Sequence, residues 1–170
     1  MPFLEDNLAY IVLDKQTRSY FLVDPADFGA IEEAKTAYGI TGSPEAVLTT
    51  HKHWDHAGHN QQFVDAYPDI RIISGTNEPV YASNENLDDG SSVELLSGLA
   101  VVEAFETPCH TAAHNIFIVA LGDQSIQMKT RVMFTGDCLF EGGVGQFFEG
   151  YADNMYDIFA NLFNQRVWSE

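Results

Sequence analysis

Thr50-His51-Lys52-His53-Trp54-Asp55-His56 places three histidines and one aspartate within six residues. Ordinary core or surface segments have no reason to collect them. Imidazole nitrogens and a carboxylate are the ligands that suit zinc and iron. Ala46-Val47-Leu48-Thr49, just before, is a short apolar run that reads as a buried strand. Ala57-Gly58-His59, just after, opens a helix expected to run to about Tyr67. His51 and His53 are two apart, so in an extended segment they point the same way. Asp55 and His56 fall at the turn into the helix, where the chain bends towards a second point. The stretch therefore reads as one pair of ligands for one metal and one pair for another.

The remaining histidines extend the pattern. All six lie in two places: His51, His53, His56 and His59, then His110 and His114. A lone histidine is usually an ordinary core or surface residue, but six confined to two short segments are poorly explained that way. Thr107-Pro108-Cys109-His110-Thr111 follows an expected strand, Leu99 to Thr107, which puts His110 at a strand end. Phe134-Thr135-Gly136-Asp137-Cys138 follows another, Arg131 to Thr135, and places Asp137 alike. An Asp beside a Gly is more often a turn residue, and Asp55 could be a helix cap. Beside the histidines, Asp137 becomes a candidate bridging carboxylate and Asp55 a candidate ligand.

Away from these clusters the chain alternates strands with helices. Ala9 to Leu13 and Tyr20 to Val23 read as a β-hairpin closed by Asp24-Pro25. Phe28 to Tyr38 reads as a helix with apolar Ile31, Ala34 and Tyr38 and a stop at Gly39. Arg71 to Ser74, Ser92 to Leu95 and Asn115 to Leu121 are further strands, with a polar turn near Gly122 to Gln127. Asn84 to Gly90 reads as a polar loop and Gly142 to Gly145 as a flexible one. Met155, Ile158, Phe159, Leu162 and Phe163 form a helical stripe over Asp153 to Phe163, and Arg166-Val167-Trp168 looks like the start of a strand. The expected architecture is a mixed, layered α/β domain over residues 1–170.

Composition narrows the partners. The 170 residues carry a formal net charge of −17, from 25 acidic and 8 basic residues. Nucleic acid and anionic membrane both require a basic patch, so neither is an expected partner. Two cysteines, Cys109 and Cys138, make no disulfide framework and point to a reducing compartment. The start, Met1 to Asp6, lacks the pattern of a signal peptide. A cytoplasmic protein is the expectation, or a mitochondrial one if a transit segment is missing.

At these motifs the chain resembles the metallo-β-lactamase superfamily and, within it, the glyoxalase II (hydroxyacylglutathione hydrolase) family. The likeness is carried by Leu4 to Tyr10, by His51-Lys52-His53-Trp54-Asp55-His56-Ala57-Gly58 and by Thr107 to Thr111 with His114. It continues in Phe134 to Asp137, Leu139-Phe140, Phe148-Glu149-Gly150 and Asn154-Met155-Tyr156. The resemblance implies an αββα sandwich of two mixed sheets flanked by helices, with a two-metal groove at one edge. It also implies that His51, His53 and His110 bind the first metal, that Asp55 and His56 bind the second, and that Asp137 bridges them. The implied metal is Zn2+, with Fe or Mn as alternatives. The implied chemistry is hydrolysis of a small-molecule glutathione thioester by a metal-bound hydroxide held at Asp137, with Asp55 also catalytic.

Three departures modify that expectation. The family's further ligand for the second metal, in a Gly-His-Glu-Tyr-like segment, would fall beyond Glu170, so the second metal is expected to bind weakly and one metal to predominate. The family's C-terminal helical domain, which holds glutathione, is not in this sequence. A usually basic position is Gln146 here, which with Phe148 is an expected substrate contact. Two other readings stand beside the thioester hydrolase: a mononuclear iron protein like the persulfide dioxygenases, and a non-catalytic metal-binding pseudoenzyme.

Overall fold

Tyr20-Phe21-Leu22-Val23 is buried along its whole length, and its side chains alternate between two cores. Phe21 and Val23 pack with Leu48, Val102, Phe117 and Val119. Tyr20 and Leu22 pack on the other side with Ile31, Val47, Phe63 and Ile72. A strand buried on both faces belongs to an internal layer. In the computed structural model, which describes residues 2–3, 7–122 and 130–167, that layer is one of two facing sheets.

The first sheet contains β3 (Tyr10–Leu13), β4 (Tyr20–Val23), β5 (Ala46–Leu48), β6 (Arg71–Gly75) and β7 (Glu85–Leu87), in that spatial order. The β3–β4 hairpin is antiparallel, and β4 to β7 are mutually parallel. A short pair, β1 (Pro2–Phe3) and β2 (Asn7–Leu8), precedes it. The second sheet is antiparallel and runs β11 (Thr130–Phe134), β10 (Asn115–Leu121), β9 (Ala100–Glu106), β8 (Ser92–Leu95).

Helices cover the outer faces. Between β4 and β5 lies α1 (Phe28–Ala37), with α2 (Trp54–Ala57) and α3 (Asn60–Ala66) between β5 and β6. Ile31 of α1 and Phe63 of α3 are buried on the first sheet. At the other side, α4 (Ala152–Asp157) continues into a wider helical segment, Ile158–Val167. Met155, Ile158, Leu162 and Phe163 pack there against Phe105, Ile116 and Ile118 of the second sheet. The order is helix, sheet, sheet, helix, as expected from the resemblance.

Several local expectations change. The helix after the ligand stretch is two helices, because α2 already starts at Trp54 and His59 leaves helical geometry at φ −105° and ψ 11°. The His59 Nδ1 accepts the Phe28 N–H at 2.9 Å, a tie to α1 that explains the break. The polar loop from Asn84 contains β7, since parallel pairing with β6 overrides weak local propensity. Asn84 Oδ1 accepts the Ile72 N–H, and Arg71 grips Glu85 with two 2.7 Å bonds. Tyr38 is no core residue: it caps α1 and is 74% exposed. Arg166 and Val167 extend the helix instead of starting a strand, because the Leu162–Phe163 stripe keeps the segment docked. Leu4-Glu5-Asp6, most of the Gly122 to Gln127 turn and Trp168 to Glu170 lie outside the described residues.

Phe117 is fully buried between the sheets. Phe117→Ala is expected to lower the unfolding free energy by about 3–5 kcal/mol. Urea titration checks this through a lower midpoint at unchanged slope.

Candidate metal centre

Parallel strands deliver their carboxyl ends to one edge of a sheet, which is where open α/β sheets build sites. Here β4 delivers Asp24, and β5 delivers Thr49, Thr50 and His51. The ladder runs on past the strands: Asp24 N–H donates to Leu48 C=O, and Thr49 N–H to Ile73 C=O, each at 2.9 Å. Asn115 N–H then donates to Thr50 C=O at 2.9 Å, fastening the second sheet to the same edge. The loops after β9 and β11 add His110 and Asp137.

Asp24 organises the ligand stretch. It is buried, with φ at +46°, a conformation that a short polar residue tolerates. Its carboxylate accepts the Thr50 N–H and hydroxyl at 2.8 Å each and faces His56 Nδ1 at 2.9 Å. A carboxylate can only accept, so His56 carries its proton on Nδ1 and leaves Nε2 facing the site. The Thr50 hydroxyl donates to Asp24 and so accepts from His51 Nδ1, at 3.1 Å. His110 Nδ1–H donates to the Gln146 carbonyl at 2.8 Å. Assigned from this network, His51 and His110 present bare Nε2 atoms inward.

These nitrogens converge. His53 Nδ1 lies 3.0 Å from His51 Nε2 and 3.0 Å from His110 Nε2. One proton on His53 could serve one of those acceptors, whereas a cation serves all three. Tetrahedral ligation at Zn–N distances of 2.0–2.1 Å would separate such nitrogens by about 3.3 Å. Asp137 reaches both groups: Oδ2 is 3.3 Å from His110 Nε2, and Oδ1 is 3.1 Å from His56 Nε2. Despite that short distance, His56 Nε2 is buried and makes no well-directed hydrogen bond. Two sets of donor atoms lie within 4.8 Å of one another, His51–His53–His110 and His51–His56–Asp137. An orphaned buried nitrogen and two convergent donor sets fit bound divalent cations.

His51 thus belongs to both sets, where the sequence pairing gave it to one. Asp55 sits at the rim: Oδ2 is 3.7 Å from His56 Nε2 and accepts from Asn7 Nδ2 at 3.0 Å. Phe148 lays its ring edge against His53 and His110, at centroid distances of 5.6 and 5.1 Å. Gln146 meets the site through its carbonyl, and its side chain is exposed. Beside the second set, a cavity of about 650 Å³ is lined by Asn7, Tyr10, Asp55, His56, Asp137 and Phe140.

Two residues have supporting roles that the sequence does not show. Asp24 looked like a hairpin closer; its signal is an Asp at the end of a buried strand neighbouring the ligand strand. His114 was noticed but given no task. It is fully buried, its Nδ1 pairs with Thr107 Oγ1 at 2.9 Å, and its Nε2 accepts the Asp137 N–H at 3.2 Å. The glycine loop after Asp137 is also more built than expected. Gly145 N–H donates to Asp137 C=O at 3.1 Å, and a Cβ on Gly145 would collide with that carbonyl.

Burial, followed by the neighbouring imidazoles, drives the His51 pKa far below its ordinary value. Burial likewise lowers His110, and lowers His114 to about 3. His56 goes the other way. Burial alone would lower it, but the carboxylates of Asp24 and Asp137 prevail and raise it to about 10. Burial opposes ionisation of Asp137, and the close approach and charge of His56 outweigh it and hold Asp137 below the usual carboxylate range.

An αββα sandwich with a histidine–aspartate constellation at the open edge defines a fold class built around a metal-ligand site. Residues 6–163 match the Metallo-beta-lactamase superfamily, and the chain belongs to it. It is 35% identical to the cytoplasmic hydroxyacylglutathione hydrolase of Arabidopsis thaliana over 156 residues, 92% of this chain and 58% of that protein. The chain therefore spans little more than half of that relative's length. In structure it is similar to ETHE1 from Myxococcus xanthus, with a TM-score of 0.70 and 22% identity over 91% of this chain and 63% of that one. It is also similar to TTHA1623 in a di-iron-bound form, with a TM-score of 0.65 and 22% identity over 92% of this chain and 81% of that one. At such identities the structural likenesses speak to the fold.

Two outcomes are expected. A cation entering the His56 set must displace the His56 proton, whose pKa is about 10, so affinity there should rise with pH across neutrality. The His51–His53–His110 set should change far less, because His51 and His110 are already neutral. Calorimetry in buffers of different ionisation enthalpy measures the proton release. Asp137→Ala removes the carboxylate common to both groups and should bring metal content below that of the unmodified chain; full retention on mass spectrometry would contradict the bridging role.

Proposed function

We propose that this chain is a metal-dependent hydrolase of the glyoxalase II type, cleaving S-lactoylglutathione or a related glutathione thioester to acid and thiol. The observation that carries the reading is Asp137 directed at two histidine groups at once, one oxygen towards His110 and the other towards His56. The name and 35% identity of the Arabidopsis relative support the substrate class. Zn2+ is the proposed metal, and iron the alternative that the di-iron form of TTHA1623 keeps open.

His51, His53 and His110 would hold one cation; His56, Asp137 and Asp55 would hold the second. When bound, such cations supply Lewis acidity, polarising a thioester carbonyl and acidifying water. The rest falls to the chain. Asp24 fixes the His56 tautomer, and Gln146 C=O fixes that of His110. Asp137 would hold an attacking water between the two groups. No protein nucleophile is required. Both thiols are buried and raised, Cys138 to about 11 by burial. Phe148, Tyr10 and Phe140 give the substrate apolar surface.

A second reading is favoured by one specific distance. Asp137 Oδ2 lies 3.3 Å from His110 Nε2, so histidines of the first group and Asp137 could form the two-histidine, one-carboxylate set that suits non-haem iron. A mononuclear persulfide dioxygenase would use that set. We place the protein in the cytoplasm, as in the relative's name. No helix among the described residues is long and apolar enough to cross a membrane.

The expected result is hydrolysis of S-lactoylglutathione that is lost on chelation and restored by added Zn2+. The same preparation, with zinc, iron and manganese counted by mass spectrometry, should be followed for oxidation of glutathione persulfide. One iron with oxygen consumption would favour the second reading. Bound metal with neither activity would favour a binding protein without catalysis.

A further inference from the structure

We infer that Lys52, held between Glu78 and Glu149, is a positioning residue that sets the affinity of the His51–His53–His110 group for its cation. This rests on the metal reading above. Lys52 lies between two of the three ligands, so its backbone orientation decides where both imidazoles go. Its N–H donates to Glu78 Oε1 at 2.9 Å. Glu78 is only 3% exposed, and its Oε2 is buried without a partner among the described residues. A buried carboxylate with one oxygen unpaired is costly, and the Lys52 N–H satisfies its other oxygen.

The side chain is held from outside. Lys52 Nζ meets Glu149 Oε2 at 2.7 Å, and the same oxygen accepts the Ala112 N–H at 2.7 Å. Ala112 is two residues from His110. Glu149 is three residues from Gln146, whose carbonyl holds His110 Nδ1. One carboxylate therefore joins the loop of His51 and His53, the loop of His110, and the loop that sets the His110 tautomer. It also neutralises the ammonium carried by the residue between two ligands, which would otherwise repel a cation. Lys52 is thereby withdrawn from service as an anchor for an anionic substrate.

A merely structural ion pair and a ligand-setting one can be separated. Lys52 and Glu149 side chains are 28% and 34% exposed, and such pairs contribute little to folding. Arg71 and Glu85 form a matched control, also at 2.7 Å, with exposures of 32% and 33%. The test titrates Co2+ into the full chain against a chelator, recording the visible spectrum and the urea midpoint for Lys52→Met, Glu149→Gln and Arg71→Met. Glu149→Gln keeps an acceptor for the Ala112 N–H. The first two variants should weaken the tighter Co2+ step roughly tenfold and alter its spectrum, with urea midpoints no lower than that of Arg71→Met. Arg71→Met should leave Co2+ binding unchanged. Unaltered affinity in both Lys52→Met and Glu149→Gln would overturn the inference alone, as would equal weakening in Arg71→Met. No Co2+ binding by the unmodified chain would overturn the metal reading with it.

Discussion

One buried carboxylate ties the ligand stretch to the sheet. Asp24 takes the Thr50 N–H, the Thr50 hydroxyl and His56 Nδ1, so the stretch is bound at its first and last residues. A loop fastened at both ends has few conformations left for the residues between, and His51, His53 and Asp55 are those residues. The same carboxylate reaches His51 indirectly, since the hydroxyl it accepts from is the one that accepts from His51. The orientation of His51 and His56 is thus set from behind by one carboxylate. This is the usual division of labour between ligands and their supporting partners.

That arrangement would be unfavourable if nothing occupied the edge. Two bare Nε2 atoms and one Nδ1 meet at 3.0 Å, and burial keeps His51 and His110 from answering the crowding by protonation. The acidic character of the chain, −17 overall, adds a long-range field that draws cations towards the edge. The same field repels an anionic thioester, so recognition would have to come from short-range contacts. Phe148 and the Tyr10–Phe140 wall offer apolar area for that purpose, while Lys52 is already paired.

The parts of the fold legible in the sequence are those where burial has a period. Tyr20 to Val23, Ala46 to Leu48 and the Met155 to Phe163 stripe announce themselves because each faces a core on a fixed repeat. β7 has no such repeat in Glu85-Asn86-Leu87; its pairing is supported by bonds between Asn84 and Ile72 and between Arg71 and Glu85, partners remote in sequence. The break between α2 and α3 was missed for a like reason, a bond from His59 to α1. In the centre itself, clustered histidines stood out by composition. Asp24 did not, and the task of His114 did not, because a supporting residue is defined by what it touches.

The two donor sets differ in a way that local geometry explains. In the sequence, inequality was expected because the resembling family places a ligand beyond Glu170. The structure gives an independent reason within the described residues. The His51–His53–His110 set contains three neighbouring nitrogens and one nearby carboxylate oxygen, so a cation there replaces a repulsion. The His56 set already contains its own cation: an imidazolium balanced by Asp24 and Asp137, with its pKa raised to about 10. A metal entering there must expel a proton that two carboxylates hold. Loading of the first set changes that balance, because a cation beside Asp137 competes for its carboxylate and weakens its hold on the His56 proton. On the metal reading, filling of the two sets would be coupled through Asp137, with the histidine-rich set expected to fill first.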